Sequence, residues 1–326
     1  MRAMVHHRFG AASEVLRLEE VETPVPGPGQ LLVRVRASSA NPYDWHFIRA
    51  QPWFMRLGPS GLRTPKAPVP GADFAGVVEA VGSGDAGGYA VGDEVFGLQH
   101  GAYAEYVVAK PERMGRKPAG ISWEEAASLP MAAVTAMQGL KDDGGVEAGQ
   151  KVLIIGASGG IGILAVQMAK AWGAEVTGVC STPNTDLVLA HGADRVIDYK
   201  REDFTRSDER FDFAFQLGGT ESARTIRRVL AEGGTIALCA GDGNRVSGPV
   251  LNIAYGMLLG RFVSQRIVLT KPQGYADKLE LIRQMVETGE LRPVVDHAVD
   301  FEDAGFAIDE VETGSPRGKI AIRGVA

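Results

Sequence analysis

Val152-Leu153-Ile154-Ile155-Gly156-Ala157-Ser158-Gly159-Gly160-Ile161-Gly162 is the stretch on which the fold turns. After Lys151 the run is continuously apolar, the pattern of a strand covered on both faces. It breaks into a glycine-rich turn, and Ile161, Leu164, Ala165, Met168 and Trp172 then recur at helical spacing until Gly173. Strand, glycine turn and helix in that order suit a pyrophosphate. Gly159 lets the backbone approach the phosphates, and Gly162 lets the helix pack close to the sheet. The helix start offers free N–H groups and the positive end of its dipole, which assigns Ala157, Ser158, Gly159, Gly160 and Ile161 to binding. The first glycine of the usual fingerprint is replaced by Ala157. A glycine string alone is a weak signal; between a buried strand and a helix it reads as a dinucleotide loop. The alternative at this point is a glycine-rich turn in an α/β protein that binds no nucleotide.

Outward from the loop the chain divides. Glu175 to Val179, Arg195 to Asp198, Phe211 to Phe215 and Thr235 to Ala240 read as further strands with helices between them. Such alternation predicts a parallel, doubly wound sheet of Rossmann type. Residues 1 to about 125 instead carry short alternating runs, Leu31 to Ala37, Phe74 to Val81 and Tyr103 to Val108. Turn signals such as Pro26-Gly27-Pro28-Gly29 and Gly92-Asp93 separate them, so this half reads as β-rich. Trp123 to Leu140 carries a helical pattern that leads into the strand–helix units. After residue 265 come an amphipathic helix, Ala276 to Thr288, with Leu279, Ile282, Met285 and Val286 on one face, a helical unit from Asp300 to Gly314, and a closing strand, Lys319 to Arg323. The expected division is 1–125, completed by 266–326, and 126–265.

A chain of 326 residues accommodates about two domains. Its net charge of −6, with no Lys/Arg cluster, argues against a nucleic-acid surface. Cys180 and Cys239 are its two cysteines, too few for a disulfide framework or a four-cysteine zinc site, and they fit a reducing compartment. No charged leader with an apolar stretch opens the chain, and no run approaches the ~18 apolar residues of a membrane span. The expectation is a cytoplasmic protein with no membrane and no nucleic-acid partner.

About 20 residues past the glycine loop, NAD enzymes usually place an Asp or Glu for the ribose 2′-hydroxyl. Here stands Cys180-Ser181-Thr182-Pro183-Asn184. Nothing in that segment repels a 2′-phosphate, and Cys180, Ser181 and Asn184 become candidates for holding NADPH. Plain helix capping by Thr182 and Pro183 is the competing explanation.

Further motifs are Asn41-Pro42-Tyr43-Asp44-Trp45, Pro70-Gly71-Ala72-Asp73-Phe74-Ala75-Gly76-Val77-Val78, Gly92-Asp93-Glu94-Val95-Phe96-Gly97, Gly192-Ala193-Asp194 and Arg317-Gly318-Lys319. With the glycine loop, they make the chain resemble the zinc-free medium-chain dehydrogenase/reductases, the quinone oxidoreductase-like family that includes NAD(P)-dependent alcohol dehydrogenase-like members. The resemblance implies a GroES-like β-rich domain beside the Rossmann-type sheet, NADPH as cofactor, and a homodimer. Zinc-dependent relatives place a cysteine near the first motif and a His-Glu pair after the Pro-Gly; here the pair is Ala72 and Asp73 and the cysteine is missing. A catalytic zinc needs three protein ligands, so no metal is expected. Without a Lewis acid, reduction of a quinone or an α,β-unsaturated carbonyl is easier than oxidation of an alcohol. Another carbonyl, an enoyl thioester, or cofactor binding without turnover are the alternatives.

By the same resemblance Asn41, Tyr43, Asp44 and His46 are the catalytic candidates at the mouth of the substrate cleft, His46 standing where the quinone reductases often carry a tyrosine. Thr135 matches a nicotinamide contact and Tyr199 a residue beside the adenosine phosphate. Leu217, Gly218 and Ala240 lie at strand ends where such sheets bind ligands, and Arg317 and Lys319 are expected to reach the phosphates. Gln51 to Gly58 is unusually apolar for a connection and reads equally as a lip over an aromatic or lipid-like substrate, a core-packing insertion or a subunit contact.

Overall fold

The computed structural model describes residues 1–58, 60–239, 250–314 and 316–324. Two strands open the chain, β1 (Arg2–Val5) and β2 (Arg17–Glu20), with helix α1 (Ala12–Val15) between them. β3 (Leu31–Ser39) and β4 (Asp73–Val81) pair antiparallel; helix α2 (Pro42–Arg49) and a 3-10 turn at Trp53–Leu57 connect them. β5 (Glu94–Leu98), β6 (Tyr106–Ala109) and β7 (Met114–Arg116) extend this sheet. The helical pattern from Trp123 to Leu140 forms more than one helix. α3 (Trp123–Ala127) ends before Pro130, and α4 (Pro130–Met137) begins on it. Proline cannot donate inside a helix but is preorganised for its first residue. A π-helical turn, Gln138–Gly144, follows.

The glycine loop sits in a second, parallel sheet. Its elements are β8 (Lys151–Ile155), α5 (Gly160–Ala171), β9 (Glu175–Cys180), α6 (Thr185–Ala190), β10 (Arg195–Asp198), β11 (Phe211–Gln216), α7 (Ala223–Ile226), β12 (Leu230–Leu238), α8 (Val250–Leu259) and β13 (Arg266–Leu269). The strand order β10-β9-β8-β11-β12-β13 reverses direction between β8 and β11, the doubly wound Rossmann arrangement. Leu153, Ile155, Val179, Ile197, Phe211, Phe213 and Ile236 fill it, each contributing about 1.5–3 kcal/mol by leaving water. The last elements are α9 (Tyr275–Glu287), β14 (Val295–Val299), α10 (Ala304–Thr313) and β15 (Lys319–Arg323). β15 pairs with β3, and Phe301, Ile308, Ile320 and Ile322 share a core with Ile48 and Tyr103. The C-terminal segment thus completes the β-rich half.

Two compact units result: residues 1–134, 274–289 and 293–326, and residues 135–273 with 290–292. The first boundary falls inside α4 rather than near 125. The second lies beyond 265 because β13 is still a strand of the parallel sheet, Ile267 opposite Ile236. Tyr103 to Glu105, expected to begin a strand, precede β6; the Tyr103 carbonyl accepts from the Met4 amide.

Candidate active site

β8 and β11 are neighbours at the reversal of strand order, and both run at their C-terminal ends into glycine-bearing turns. Gly156 has φ +90°, and a Cβ there would stand 3.2 Å from the Gly218 nitrogen, so the turns meet where Leu217 and Gly218 were expected to serve. A Cβ on Gly162 would fall 2.1 Å from the Gly156 carbonyl oxygen. Only hydrogen fits, and α5 therefore starts flush against the turn. At Gly159 the nearest atom would be 3.6 Å away, which leaves that face open. Gly159 caps α5 without a side-chain acceptor, and the first turn holds no acidic residue. The leading amides of the helix have no intrahelical partners and carry the positive end of the dipole. The Gly156 and Ala157 amides donate to the Val179 carbonyl and the Gly159 amide to the Gly156 carbonyl. Ala157 therefore lacks the free N–H expected of it, and the donors that fit the pyrophosphate of a dinucleotide are those that open α5.

β9 and β10 end side by side, Cys180 opposite Asp198. Asn184 Nδ2 donates to Ser158 Oγ at 3.1 Å and to Ser181 Oγ at 3.2 Å, which brings three expected residues together. Asn184 Oδ1 is buried with no hydrogen-bond partner among the described residues. Burial and the Asp198 charge push the Cys180 thiol up to about 11, so it stays neutral, and its carbonyl accepts from the Tyr199 amide. Tyr199 is exposed, with the Lys200 ammonium 5.0 Å from its ring centroid. Thr182 Oγ1 donates to Asp198 Oδ2 at 2.7 Å and does not cap a helix. That hydrogen bond, the Lys200 amide and the Arg201 charge hold Asp198 below its ordinary range. Inspecting residues 180–184 for an acid could not find Asp198, because the carboxylate arrives on the neighbouring strand. Ala240 and Gly241 lie outside the described residues.

In the β-rich unit, the register of β3 on β4 sets Ser39 opposite Asp73, and a buried polar hub forms around them. Asp73 Oδ2 accepts from Ser39 Oγ at 2.7 Å and Asn41 Nδ2 at 2.9 Å, and Lys319 Nζ lies 3.4 Å away. Asp73 Oδ1 accepts from the Met131 amide at 2.9 Å. Lys319 Nζ also donates to the Ala40 carbonyl at 3.0 Å and to Asn41 Oδ1 at 2.5 Å. The second Asn41 amide hydrogen goes to the Ser39 carbonyl at 3.2 Å. Asp44 Oδ2 accepts from the Asn41 backbone at 2.9 Å, and the Tyr103 hydroxyl stands 2.8 Å from the same oxygen. Buried charges survive when paired and hydrogen-bonded in this way. Asp44 Oδ1 has no partner among the described residues, and burial pushes the Asp44 carboxyl up to about 7 against the pull of Tyr103.

These contacts correct several expectations. Asn41 has spent both amide hydrogens inside the hub and has none to donate to a substrate carbonyl. Lys319 does not reach for phosphate: it is 6% exposed, with its ammonium committed to three hub oxygens. Asp44, 1% exposed, tethers the start of α2 and does not face solvent. His46 Nδ1 donates to the Gln51 carbonyl at 2.7 Å, and its ring stacks on Trp45 at 3.6 Å between centroids. Burial lowers its pKa, so it sits there neutral and ties down the end of α2. Tyr43 stays half-buried on α2, its ring 4.4 Å from that of Phe47; burial raises its pKa and keeps its proton in place. Thr135 is buried on α4, and Arg317 is exposed. Trp53, Phe54 and Leu57 present exposed apolar surface where the lip was expected.

Sequence reasoning missed the hub. Asp73 was noticed for the glutamate it replaces and not for what it binds; the available signal was its cross-strand pairing with Ser39. Among the described residues, one group has the spacing of metal donors, Asp296, His297 and Glu310, lying on β14 and α10. Both His297 nitrogens face its carboxylates, at 3.5 and 3.4 Å. No helix among the described residues is long and apolar enough to cross a membrane.

Residues 27–119 match the alcohol dehydrogenase GroES-like domain, and residues 191–322 the zinc-binding dehydrogenase model. The chain is 31% identical to the mitochondrial NAD(P)H oxidoreductase RTN4IP1 of Mus musculus, over 99% of this chain and 89% of that protein. It is also 31% identical to 2-methylene-furan-3-one reductase of Solanum lycopersicum, over 99% and 79%. The quinone oxidoreductase structure from Coxiella burnetii superposes with a TM-score of 0.86 at 30% identity, covering 100% of this chain and 99% of that one. Similarity along the whole length, on top of the dinucleotide turn, places the chain in the medium-chain dehydrogenase/reductase family, as an NAD(P)H-dependent oxidoreductase among its quinone oxidoreductase-like members.

Proposed function

We propose that this protein reduces planar, electron-poor acceptors, quinones or α,β-unsaturated carbonyls, with NADPH and without zinc. The observation that carries this reading is the state of Ala72 and Asp73, where zinc-dependent relatives place His and Glu. Ala72 has no donor atom, and both Asp73 oxygens are already occupied by Ser39, Asn41, Lys319 and Met131. A Lewis acid has no ligand set there, and an alcohol would be deprotonated unaided. Reduction asks for less.

NADPH supplies a hydride. In an enone the hydride bonds to the β carbon, the C=C electron pair moves toward the carbonyl oxygen, and one proton from water completes the saturated ketone. A quinone takes one hydride and one proton to become a hydroquinone. We assign the Tyr43 hydroxyl to the acceptor's carbonyl oxygen, as a hydrogen-bond donor that lowers the energy of the developing negative charge. Its proton is retained at neutral pH because burial raises its pKa. The Tyr43–Phe47 pair and exposed Trp53 and Phe54 suit a flat substrate.

Ser158, Ser181 and Asn184 support NADPH over NADH. Their hydroxyls and amide can donate to a 2′-phosphate, because the serines also donate and the amide can turn over. The Lys200 and Arg201 charges offset Asp198. β13 forms an edge of the parallel sheet, with exposed Tyr255, Met257, Leu258 and Phe262 just before it, which supports a homodimer.

The test follows the absorbance of the reduced nicotinamide with p-benzoquinone, linear enones and primary alcohols, alongside metal analysis. Turnover of quinone or enone with NADPH, at a kcat about tenfold lower in Y43F, is expected. Alcohol oxidation that depends on stoichiometric zinc would overturn the reading.

A further inference from the structure

We propose that Asp73 and Lys319 are positioning residues that hold the starts of α2 and α4 in one register for hydride transfer. This rests on the reductase reading above. Asn41 caps α2, which carries Tyr43 and Phe47. α4 opens on Pro130 and carries Thr135, the residue matched to nicotinamide contact. The Met131 amide has no acceptor within its own helix, and Asp73 Oδ1 takes it at 2.9 Å. Thr135 lies four residues on, on the same helix face. The other oxygen of the same carboxylate takes Asn41 Nδ2 and Ser39 Oγ. One side chain therefore touches the N-cap of α2 and the first turn of α4.

Only a carboxylate can do this. It offers acceptors on both sides, whereas an amide would turn one side into a donor facing donors already in place. A carboxylate that is 0% exposed needs a counter-charge, and Lys319 supplies it from β15, while its remaining hydrogens fix Asn41 Oδ1 and the Ala40 carbonyl. The arrangement leaves Asn41 no freedom and makes it part of the frame. Displacement of reacting atoms by about 1 Å costs on the order of 100-fold in rate, so a bracket between these helices acts on the hydride step and not on cofactor affinity.

The experiment compares the parent with D73N/K319M, S39A and K319R, using NADPH deuterated at the transferred position and p-benzoquinone. Fluorescence titration gives the Kd for NADPH, and steady-state rates give kcat, KM and the isotope effect. For D73N/K319M the expected result is a Kd within about twofold of the parent, a kcat lower on the order of 100-fold, and a larger isotope effect. K319R, which keeps the charge, retains more kcat than the double variant. S39A, the smallest change, lowers kcat about threefold with Kd unmoved; it decides the matter if D73N/K319M does not fold. A folded double variant with parental kcat and isotope effect would reduce the pair to core filling and overturn the inference, as would a parental kcat in S39A if the double variant is unfolded. A parent that transfers hydride to no acceptor overturns this inference and the reductase reading together. A parent that turns over while these variants match it overturns this inference alone.

Discussion

At the start of α5, small residues leave the leading backbone N–H groups without acceptors in their own helix; around Asp73, side chains crowd together and almost every polar atom has a partner. The helix start presents donors to something outside the protein. The hub spends its donors and acceptors on itself. An unmet hydrogen-bonding group at a strand end is an invitation to a ligand, while a saturated buried network holds geometry. The same polarity thus signals binding in one place and rigidity in the other. Asn41 shows how easily the two are confused: by residue type it is a substrate contact, by its hydrogen bonds it is scaffold.

The contrast breaks most sharply at Gly162. Gly162→Ala puts a Cβ on the Gly156 carbonyl and forces α5 off the turn. NADPH affinity should fall by about 100-fold or more, a loss of roughly 2.7 kcal/mol, read by fluorescence titration, with thermal unfolding shifted down as well. Gly159→Ala, with 3.6 Å of room, should fold normally. An unchanged affinity in Gly162→Ala would deny that helix and turn need to touch.

Next comes the orphan oxygen of the hub. Burial raises the folded Asp44 pKa from 3.8 to about 7. The folded state therefore binds this proton more tightly than the unfolded one. Its contribution to stability is complete below about pH 3.8 and is lost as pH rises through 7. Urea unfolding at a series of pH values between those limits should show D44N gaining on the parent as pH rises, by up to about 1.4 kcal/mol per unit. A constant difference would mean that Asp44 is ionised throughout.

Asn184→Asp tests the unsaturated side more gently. A carboxylate between Ser158 and Ser181 should weaken NADPH about tenfold and NADH much less, visible in the ratio of the two KM values. Equal losses for both cofactors would place the 2′-phosphate elsewhere. The smallest effect is expected at His46. With Nδ1 held by Gln51 and the ring stacked on Trp45, His46→Gln should leave kcat within about threefold and the pH profile unshifted. A profile that loses a limb would restore it as a proton donor.

Much of the architecture was readable because it is written in neighbouring residues. The apolar run before Gly156, the glycines at 159 and 162, and the helical spacing to Trp172 all lie within two dozen positions, and local pattern suffices for them. The helical pattern read over Trp123 to Leu140 is helical, but its division at Pro130 comes from that residue's stop-and-start effect, which a continuous apolar period does not reveal. Lys319 and Asp198 were misjudged or overlooked for another reason. Their partners, Asn41 and Asp73 for one and Thr182 for the other, come from elements distant in the chain.

By itself the sequence determined a parallel sheet with a dinucleotide turn, a β-rich partner half and a family, since periodicity and glycine spacing are local properties of a chain. Tertiary structure alone decided which polar residues are spent and which are open. That depends on pairing register and burial, which bring Ser39 to Asp73, Lys319 to Asn41 and Asp198 to Cys180 across distances no short motif spans. A hydrogen-bond donor has one fate if a partner arrives and another if none does, and only the folded chain settles which.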